Sequence, residues 1–316
     1  MFLRISFLLL CSISCYASLA VHVLGCGGGS SELDCSSYLV NQVGSDEYIV
    51  FDGGSMLQGY TLCQKNGHLD PKLSFTEFMH EHIKAYFVSH AHLDHLSALI
   101  LHSQEDNPKG LYGIDSTIND LREYVFNWHI WPNFGSEGTY PIGLYEYKRI
   151  QPGKIYFVEN TPFTVTPYVL SHPGDHESSA FLIEAEGEYL LYFGDTSPDA
   201  IEKVKRLDSI WSQIAPFIER GILKGIFLEC SYPAGRPPSE LFGHLDTTHF
   251  IKELSSLALK VNPDNPESAL TGLNIIVTHM KGGEAQFAQI ENELGKESLF
   301  GVHLIFAKQG EKIILD

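Results

Sequence analysis

Short apolar runs, each ending at a polar or glycine-rich turn, recur along the chain and predict a fold rich in buried strands. Strands are expected at 21–24, 37–40, 48–51 and 85–88, then at 110–114 and within 142–170. A hairpin follows at 180–184 and 189–193, with further strands at 225–228, 274–277, 303–307 and 312–315. Helical spacing appears at 74–82, from Leu96 onward, and after Ser116, the expected cap of a helix with Ile118, Leu121 and Val125 on one face. It returns over 199–214 and again after Asp246, where Phe250, Ile251, Leu254 and Leu257 share a side.

The turn after the fourth strand changes the picture. Ser89-His90-Ala91-His92-Leu93-Asp94-His95 packs three imidazoles and a carboxylate between a strand and a helix. In an extended turn, side chains two apart point the same way, so His90 and His92 would share one cation. Asp94 and His95 are adjacent, diverge, and would reach a second. Imidazole and carboxylate donors suit zinc first, with manganese or iron as alternatives. Gly25-Cys26-Gly27-Gly28-Gly29 half-matches a dinucleotide-binding loop, but the segment after it reads as a strand where that motif needs a helix, which excludes the reading.

The same device recurs. His172, Asp195 and His279 each follow directly on an apolar strand, as His90 does. Separate strands would thus deliver ligands to one rim. His90, His92 and His172 would hold one divalent ion, and Asp94, His95 and His279 a second, with Asp195 bridging. His176 is the alternative to His172, which is preferred because it adjoins the strand.

The formal charge is −18 over 316 residues, which argues against a general basic surface for polymeric nucleic acid. An anionic substrate would need local cations. The aromatic segment 126–134 would either roof a pocket and stack on a base, or pack into the core or a homodimer contact. With no repeat or low-complexity tract, 21–316 reads as a single domain. Residues 1–20 read as a secretory signal peptide, with Ala17 and Ala20 both ending acceptable cleavage sites, so the mature chain is expected to be periplasmic or secreted and free of the membrane. Of six cysteines, Cys26, Cys35, Cys63 and Cys230 lie beyond it. Cys26 and Cys35 either pair or stay free thiols.

His-x-His-x-Asp-His, followed by an isolated His, an Asp and a last His, resembles the metallo-β-lactamase superfamily. That resemblance implies a four-layer αββα sandwich, two mixed β-sheets flanked by helices, with Asp52 supporting the metal loop. Within it, the chain is similar to class II cyclic nucleotide phosphodiesterases. The similarity runs through Leu24-Gly25-Cys26, Ser36-Ser37-Tyr38-Leu39, the histidine motif, Phe126-Asn127 with Ile130-Trp131-Pro132-Asn133, and Ser178-Ser179-Ala180-Phe181-Leu182. It continues through Gly194-Asp195-Thr196, Leu241-Phe242-Gly243-His244-Leu245 and Thr278-His279, and so spans nearly all of the chain after the leader. Ala98 and Gln104 depart from the family's preferred residues beyond the ligands, which bears on substrate preference. The resemblance implies metal-dependent hydrolysis of cyclic AMP, and of cyclic GMP as a second substrate, to the 5′-monophosphate. The catalytic set it implies is His244 as proton donor, Glu229 orienting it, and Asp94 in a dual role. The rival readings are a different hydrolysis on the same fold and a non-catalytic binder; the complete ligand set argues against the latter.

Overall fold

The computed structural model describes residues 18–316 except 175 and 297, so residues 1–17 of the expected leader lie outside the described residues. The first sheet takes strands β1 (Leu19–Gly25), β2 (Ser37–Gln42), β3 (Tyr48–Phe51), β4 (Ile83–Phe87), β5 (Lys109–Gly113) and β6 (Tyr145–Arg149). The second takes β7 (Tyr156–Phe157), β8 (Thr164–Ser171), β9 (Glu177–Ala185), β10 (Glu188–Phe193), β11 (Leu223–Glu229), β12 (Asn274–Thr278) and β13 (His303–Phe306). The last strand, β14 (Lys312–Leu315), returns to the first sheet beside β1. Each sheet has seven strands, ordered β14-β1-β2-β3-β4-β5-β6 and β13-β12-β11-β10-β9-β8-β7. Both are mixed: β3, β4, β5 and β6 run parallel, as do β10, β11, β12 and β13, and the other pairs are antiparallel.

Side-chain alternation builds the layers. Along β3, Ile49 and Phe51 face the second sheet, while Tyr48 and Val50 face the helices. Along β11, Phe227 points between the sheets, and Ile226 and Leu228 point to the other helical layer. Aromatic contacts fill the space between sheets: Phe51 meets Phe87, Phe181 and Tyr192 at ring separations of 5.2, 5.5 and 5.6 Å. Helices α1 (Leu57–Lys65), α2 (Phe75–Glu81), α3 (Leu93–His102) and α4 (Asp115–Asp120) contribute Tyr60, Phe78, Leu96 and Ile118 to the core over the first sheet. Beyond a short α5 (Asp199–Glu202), α6 (Arg206–Glu219), α7 (Thr247–Val261) and α8 (Glu284–Leu294) contribute Trp211, Leu254 and Ile290 over the second. The result is the expected αββα sandwich. Among the described residues, no helix is long and apolar enough to cross a membrane.

Three local expectations are corrected. Helix α3 starts at Leu93, not Leu96, because His92 is extended (ψ 148°) and Asp94 sits in the first turn, where a carboxylate complements the helix dipole. Ser116 is not a cap: the helix begins at Asp115 after Ile114, and the Ser116 hydroxyl donates to Glu177. The helix expected over 199–214 is two helices, separated where Lys203 takes a left-handed conformation (φ 55°). Of the two readings left open for the cysteines the structure has the free thiols: Cys26, Cys35, Cys63 and Cys230 are unpaired and buried. The Cys35 Sγ contacts the Ser31 carbonyl at 3.1 Å.

One buried acid in this scaffold sets a pH dependence. Glu253 on α7 accepts from Trp211 Nε1 on α6 at 2.8 Å. Burial raises its carboxyl to about 7, with Asp199 and Asp208 adding to the rise and the Trp211 bond opposing it. Its stabilising contribution is therefore complete below the ordinary value of 4.5 and is lost as pH rises through about 7. Glu253→Gln keeps an acceptor for Trp211 and cannot ionise. It is expected to melt above the parent protein at pH 8, by on the order of 2–4 °C, and level with it at low pH. Melting curves across that range check this.

Candidate metal centre

Strands from both sheets end on one edge. β4 leads into Ser89-His90, β8 into His172, β10 into Gly194-Asp195, and β12 into His279, while β11 ends on Glu229 itself. In the first cluster of donors, His90 Nε2 lies 3.0 Å from His92 Nδ1, and His172 Nε2 lies 3.1 Å from the same atom. In the second, His95 Nε2 lies 3.3 Å from His279 Nε2, which is 3.2 Å from Asp94 Oδ2. Asp195 stands between the clusters. Its Oδ2 is 3.6 Å from His90 Nε2 and 3.8 Å from His172 Nε2, and its Oδ1 is 3.2 Å from both His95 Nε2 and His279 Nε2. Within each set the donor atoms lie within 4.8 Å of one another. All seven expected donors are thus brought together. Asp94 and His95 reach the same cluster from the first turn of α3 rather than diverging from an extended turn. The ring of His176 approaches His92 only to 6.0 Å and stays outside both sets.

The nitrogens that face away from the centre are anchored, which fixes ring orientation and frees the inner lone pairs. His90 Nδ1 meets Ser89 Oγ at 3.0 Å, His172 Nδ1 meets the Gly243 carbonyl at 3.1 Å, and His279 Nδ1 meets Ser231 Oγ at 3.0 Å. His95 Nδ1 donates to Asp52 Oδ2 at 2.7 Å. Asp52 also accepts from Ser89 N, Ser89 Oγ and Tyr192 OH at 2.7, 2.8 and 2.6 Å. Burial pushes the His90 and His172 imidazoles down, His172 to about 4, so both are unprotonated at neutral pH. Burial opposes ionisation of Asp195 as well, but His279, His95 and His244 outweigh it and hold the carboxyl well below its usual range. Burial would lower the His95 imidazole too, but Asp195 and Asp52 outweigh it and raise the ring well above its ordinary value, so a divalent cation bound there would displace its proton. Imidazoles around an ionised carboxylate form a donor set suited to divalent cations.

The glycine-rich segment, excluded as a dinucleotide loop, belongs to this centre. Gly29 N donates to Asp94 Oδ2 at 2.7 Å. A Cβ on Gly28 would stand 2.4 Å from Cε1 of His279, so only glycine lets the ring lie there. His279 and Asp52 both take left-handed backbone conformations (φ 56° and 55°), strain of the kind concentrated at functional sites. Gly28, Ser231 and Tyr192 were missed because their roles depend on close approaches between distant segments.

Glu229 and His244 form a third knot beside Asp195. His244 Nδ1 donates to Glu229 Oε1 at 2.9 Å and lies 3.7 Å from Asp195 Oδ2. The Glu229 oxygens also accept from Thr196 N, Ser231 Oγ and Leu245 N at 3.0, 2.6 and 3.3 Å. With its oxygens so occupied, Glu229 acts as a support rather than a free ligand. Burial alone would lower the His244 imidazole, yet Glu229 and Asp195 raise it. Its Nε2 sits 2.8 Å from Lys281 Nζ.

Two cavities flank the centre. One, of about 390 Å³, borders Asp94 and is lined by Leu33, Leu57, Leu93, Ala98 and Leu101 among others. Ala98, one of the two departures from the family pattern, therefore lines a pocket beside the ligands; Gln104 does not. The other, of about 150 Å³, is bordered by His92, Tyr124, Val125 and His176. No residue of 126–134 lines either one. Phe126 is buried, the Trp131 indole donates to Ser103, and Trp128 and Ile130 are exposed, so this segment packs and caps the first helical layer instead of roofing these cavities.

Residues 19–310 match the family model described as class-II cAMP phosphodiesterases. A 3′,5′-cyclic-nucleotide phosphodiesterase of Aliivibrio fischeri is 34 % identical, over 92 % of this chain and 91 % of its own. The crystal structure of unliganded yeast PDE1 superposes with a TM-score of 0.80 at 24 % identity, covering 95 % of this chain and 99 % of that one. A metallo-β-lactamase fold protein from Bacillus subtilis gives a TM-score of 0.62 at 19 % identity, over 94 % and 99 % of the two chains. These two structures share the fold.

Asp52→Asn keeps the shape of the anchor but places an amide against His95 Nδ1. It is expected to weaken binding of a divalent ion by about 10–100-fold. Competition against a chelator measures this, and an unchanged affinity would remove Asp52 from the support of the centre.

Proposed function

Because the chain belongs to the class-II cAMP phosphodiesterases, we propose that it hydrolyses 3′,5′-cyclic AMP, and cyclic GMP as a second substrate, to the 5′-monophosphate with two divalent ions, zinc ahead of manganese or iron. The observation that carries this reading is Asp195, with one carboxylate oxygen turned to each imidazole cluster. His90, His92 and His172 would hold one ion, Asp94, His95 and His279 the other, with Asp195 between them. Bound there, the ions would polarise the phosphoryl group and lower the pKa of water at the site.

The chain's own residues do the rest. Hydrolysis adds water to phosphorus, breaks the bond to the ribose 3′-oxygen and returns a proton to that oxygen. The seven ligand side chains are committed, so the proton needs another carrier. His244 adjoins both clusters without belonging to the proposed ligand sets, and Glu229 holds its Nδ1 so that Nε2 is the atom left to exchange a proton. Glu229 is in turn fixed by Thr196, Ser231 and Leu245, which sets the direction of the ring.

We further propose that the protein is exported to the periplasm or medium and that processing falls after Ala17 rather than Ala20. Leu19 and Ala20 are fully buried in β1, opposite Leu315 and Ile314 on one side and Gln42 and Asn41 on the other. The Ser18 carbonyl accepts from Val43 N at 2.9 Å. Cleavage after Ala20 would cut these pairings and leave a charged amine at Val21 within the core, which is costly. N-terminal sequencing of exported protein should begin at Ser18, and a start at Val21 or Met1 would contradict this.

Purified protein loaded with zinc or manganese is expected to convert cyclic AMP to 5′-AMP, with activity abolished by a chelator. His244→Ala should keep its metal and lose about two to four orders of magnitude in turnover. Metal-loaded protein that leaves both cyclic nucleotides intact would sink the substrate assignment, and a near-normal rate in His244→Ala would remove that residue from proton transfer.

A further inference from the structure

A chain with a formal charge of −18 that acts on an anion needs positive charge where the anion lands. The side chains around the two clusters supply the opposite: Asp52, Asp94, Asp195 and Glu229 are all carboxylates. Lys281 brings a cation to this edge of the sandwich. Lys281 follows His279 by two residues, and its backbone N–H donates to the Ser231 carbonyl at 3.1 Å, which ties it to the loop that also anchors His279. Its side chain runs past the glycine segment: Cδ, Cε and Nζ lie 3.6–3.8 Å from where a Cβ on Gly29 would stand. It ends with Nζ 2.8 Å from His244 Nε2. Gly29 is the residue whose N–H holds Asp94, so Lys281 reaches from the second cluster to the His244–Glu229 pair.

The partner of this ammonium is unusual. An imidazole nitrogen is a weak match for a full positive charge, and among the described residues no carboxylate oxygen lies within 4.0 Å of Nζ. The side chain is half-buried, with access to solvent. Lysine carries a compact charge on a flexible stem, suited to leaving one partner for another.

We infer that Lys281 is the anion-binding side chain of this site: its ammonium takes a non-bridging phosphate oxygen of substrate and product, and the contact with His244 is its resting position. The inference rests on the phosphodiesterase reading for the identity of the anion, but the contact would serve any phosphate ester at the centre. It also relates the two groups. While Lys281 donates to His244 Nε2, that nitrogen faces no substrate; once the ammonium moves to the phosphate, Nε2 is open to it.

The test uses the metal-loaded protein with Lys281→Met and Lys281→Arg, with inorganic phosphate and 5′-AMP as probes and uncharged adenosine as control. Bound metal is determined for each variant, and binding is followed by calorimetry without turnover. Lys281→Met is expected to keep its metal and bind phosphate and 5′-AMP about 10–100-fold more weakly, the range for a hydrogen bond to a charged group. Adenosine binding should not change, and Lys281→Arg should recover most of the lost affinity. With cyclic AMP, KM should rise in Lys281→Met, and the fall of kcat/KM with added salt should flatten. Phosphate and 5′-AMP affinities equal to the parent's in metal-loaded Lys281→Met would overturn the inference. So would a loss confined to metal, with unchanged phosphate affinity per loaded site. Weaker phosphate binding in Lys281→Met, in a protein that turns over no cyclic nucleotide, would uphold Lys281 while rejecting the substrate assignment.

Discussion

A single buried carboxylate, Asp52, ties the two sheets of this protein to its metal centre. It sits at the end of β3 in the first sheet and accepts from Tyr192 on β10 in the second. It also receives the backbone and hydroxyl of Ser89, which start the histidine turn, and Nδ1 of His95 on α3. A carboxylate buried this deeply is tolerated only when its oxygens are satisfied. Hydrogen bonds to a charged acceptor contribute roughly 1.5–3 kcal/mol each, so the donors cannot easily leave. The turn, the helix start and the spacing of the sheets are therefore fixed together. The left-handed backbone at Asp52 is the strain that this arrangement imposes.

The sandwich turns that local anchor into a site. Parallel strands within a sheet end at the same edge, and here strands from two sheets end at a shared one. Each delivers one polar residue just past its last apolar position. The polar residues are buried, yet those of the centre pair with each other or with hydroxyls and carbonyls of neighbouring loops. Rigid strands below and satisfied second partners above hold the donor atoms within the narrow range a cation requires.

Much of this was legible in the residues themselves. The strand-end pattern located His90, His172, Asp195 and His279, and the dense histidine turn located His92, Asp94 and His95: Val-Thr-His279 and Tyr-Phe-Gly-Asp195 mark where each apolar run stops. The helix capped by Asp246 was equally clear, since its side chain accepts from His249 N. Other features left little trace. Helices α1 and α8 mix polar and apolar residues with no strong face. Lys203 breaks a helix without a glycine or proline to announce it. Gly28, Tyr192, Ser231 and Lys281 act through contacts with residues far away in sequence, and a linear pattern does not carry such pairings. Asp52 and the Glu229–His244 pair came only from family resemblance, because a lone acid after a strand is common.

Charge balance connects the fold to the chemistry. Four carboxylates stand at or just behind the donor clusters, and His90 and His172 are held neutral by burial. An anionic phosphate about 4 Å from one such carboxylate would be repelled by on the order of 4 kcal/mol at an effective dielectric of 20. Asp195 cannot avoid that position, because its two oxygens occupy the space between the clusters. The site accepts a phosphate more readily as positive charge is added beyond the His95 proton that Asp195 and Asp52 already favour. Divalent ions in the two clusters would provide most of it. The ammonium of Lys281 adds a charge that can move, unlike those fixed by ligands, and this distinguishes a centre that only stores cations from one that can receive an anion and release it.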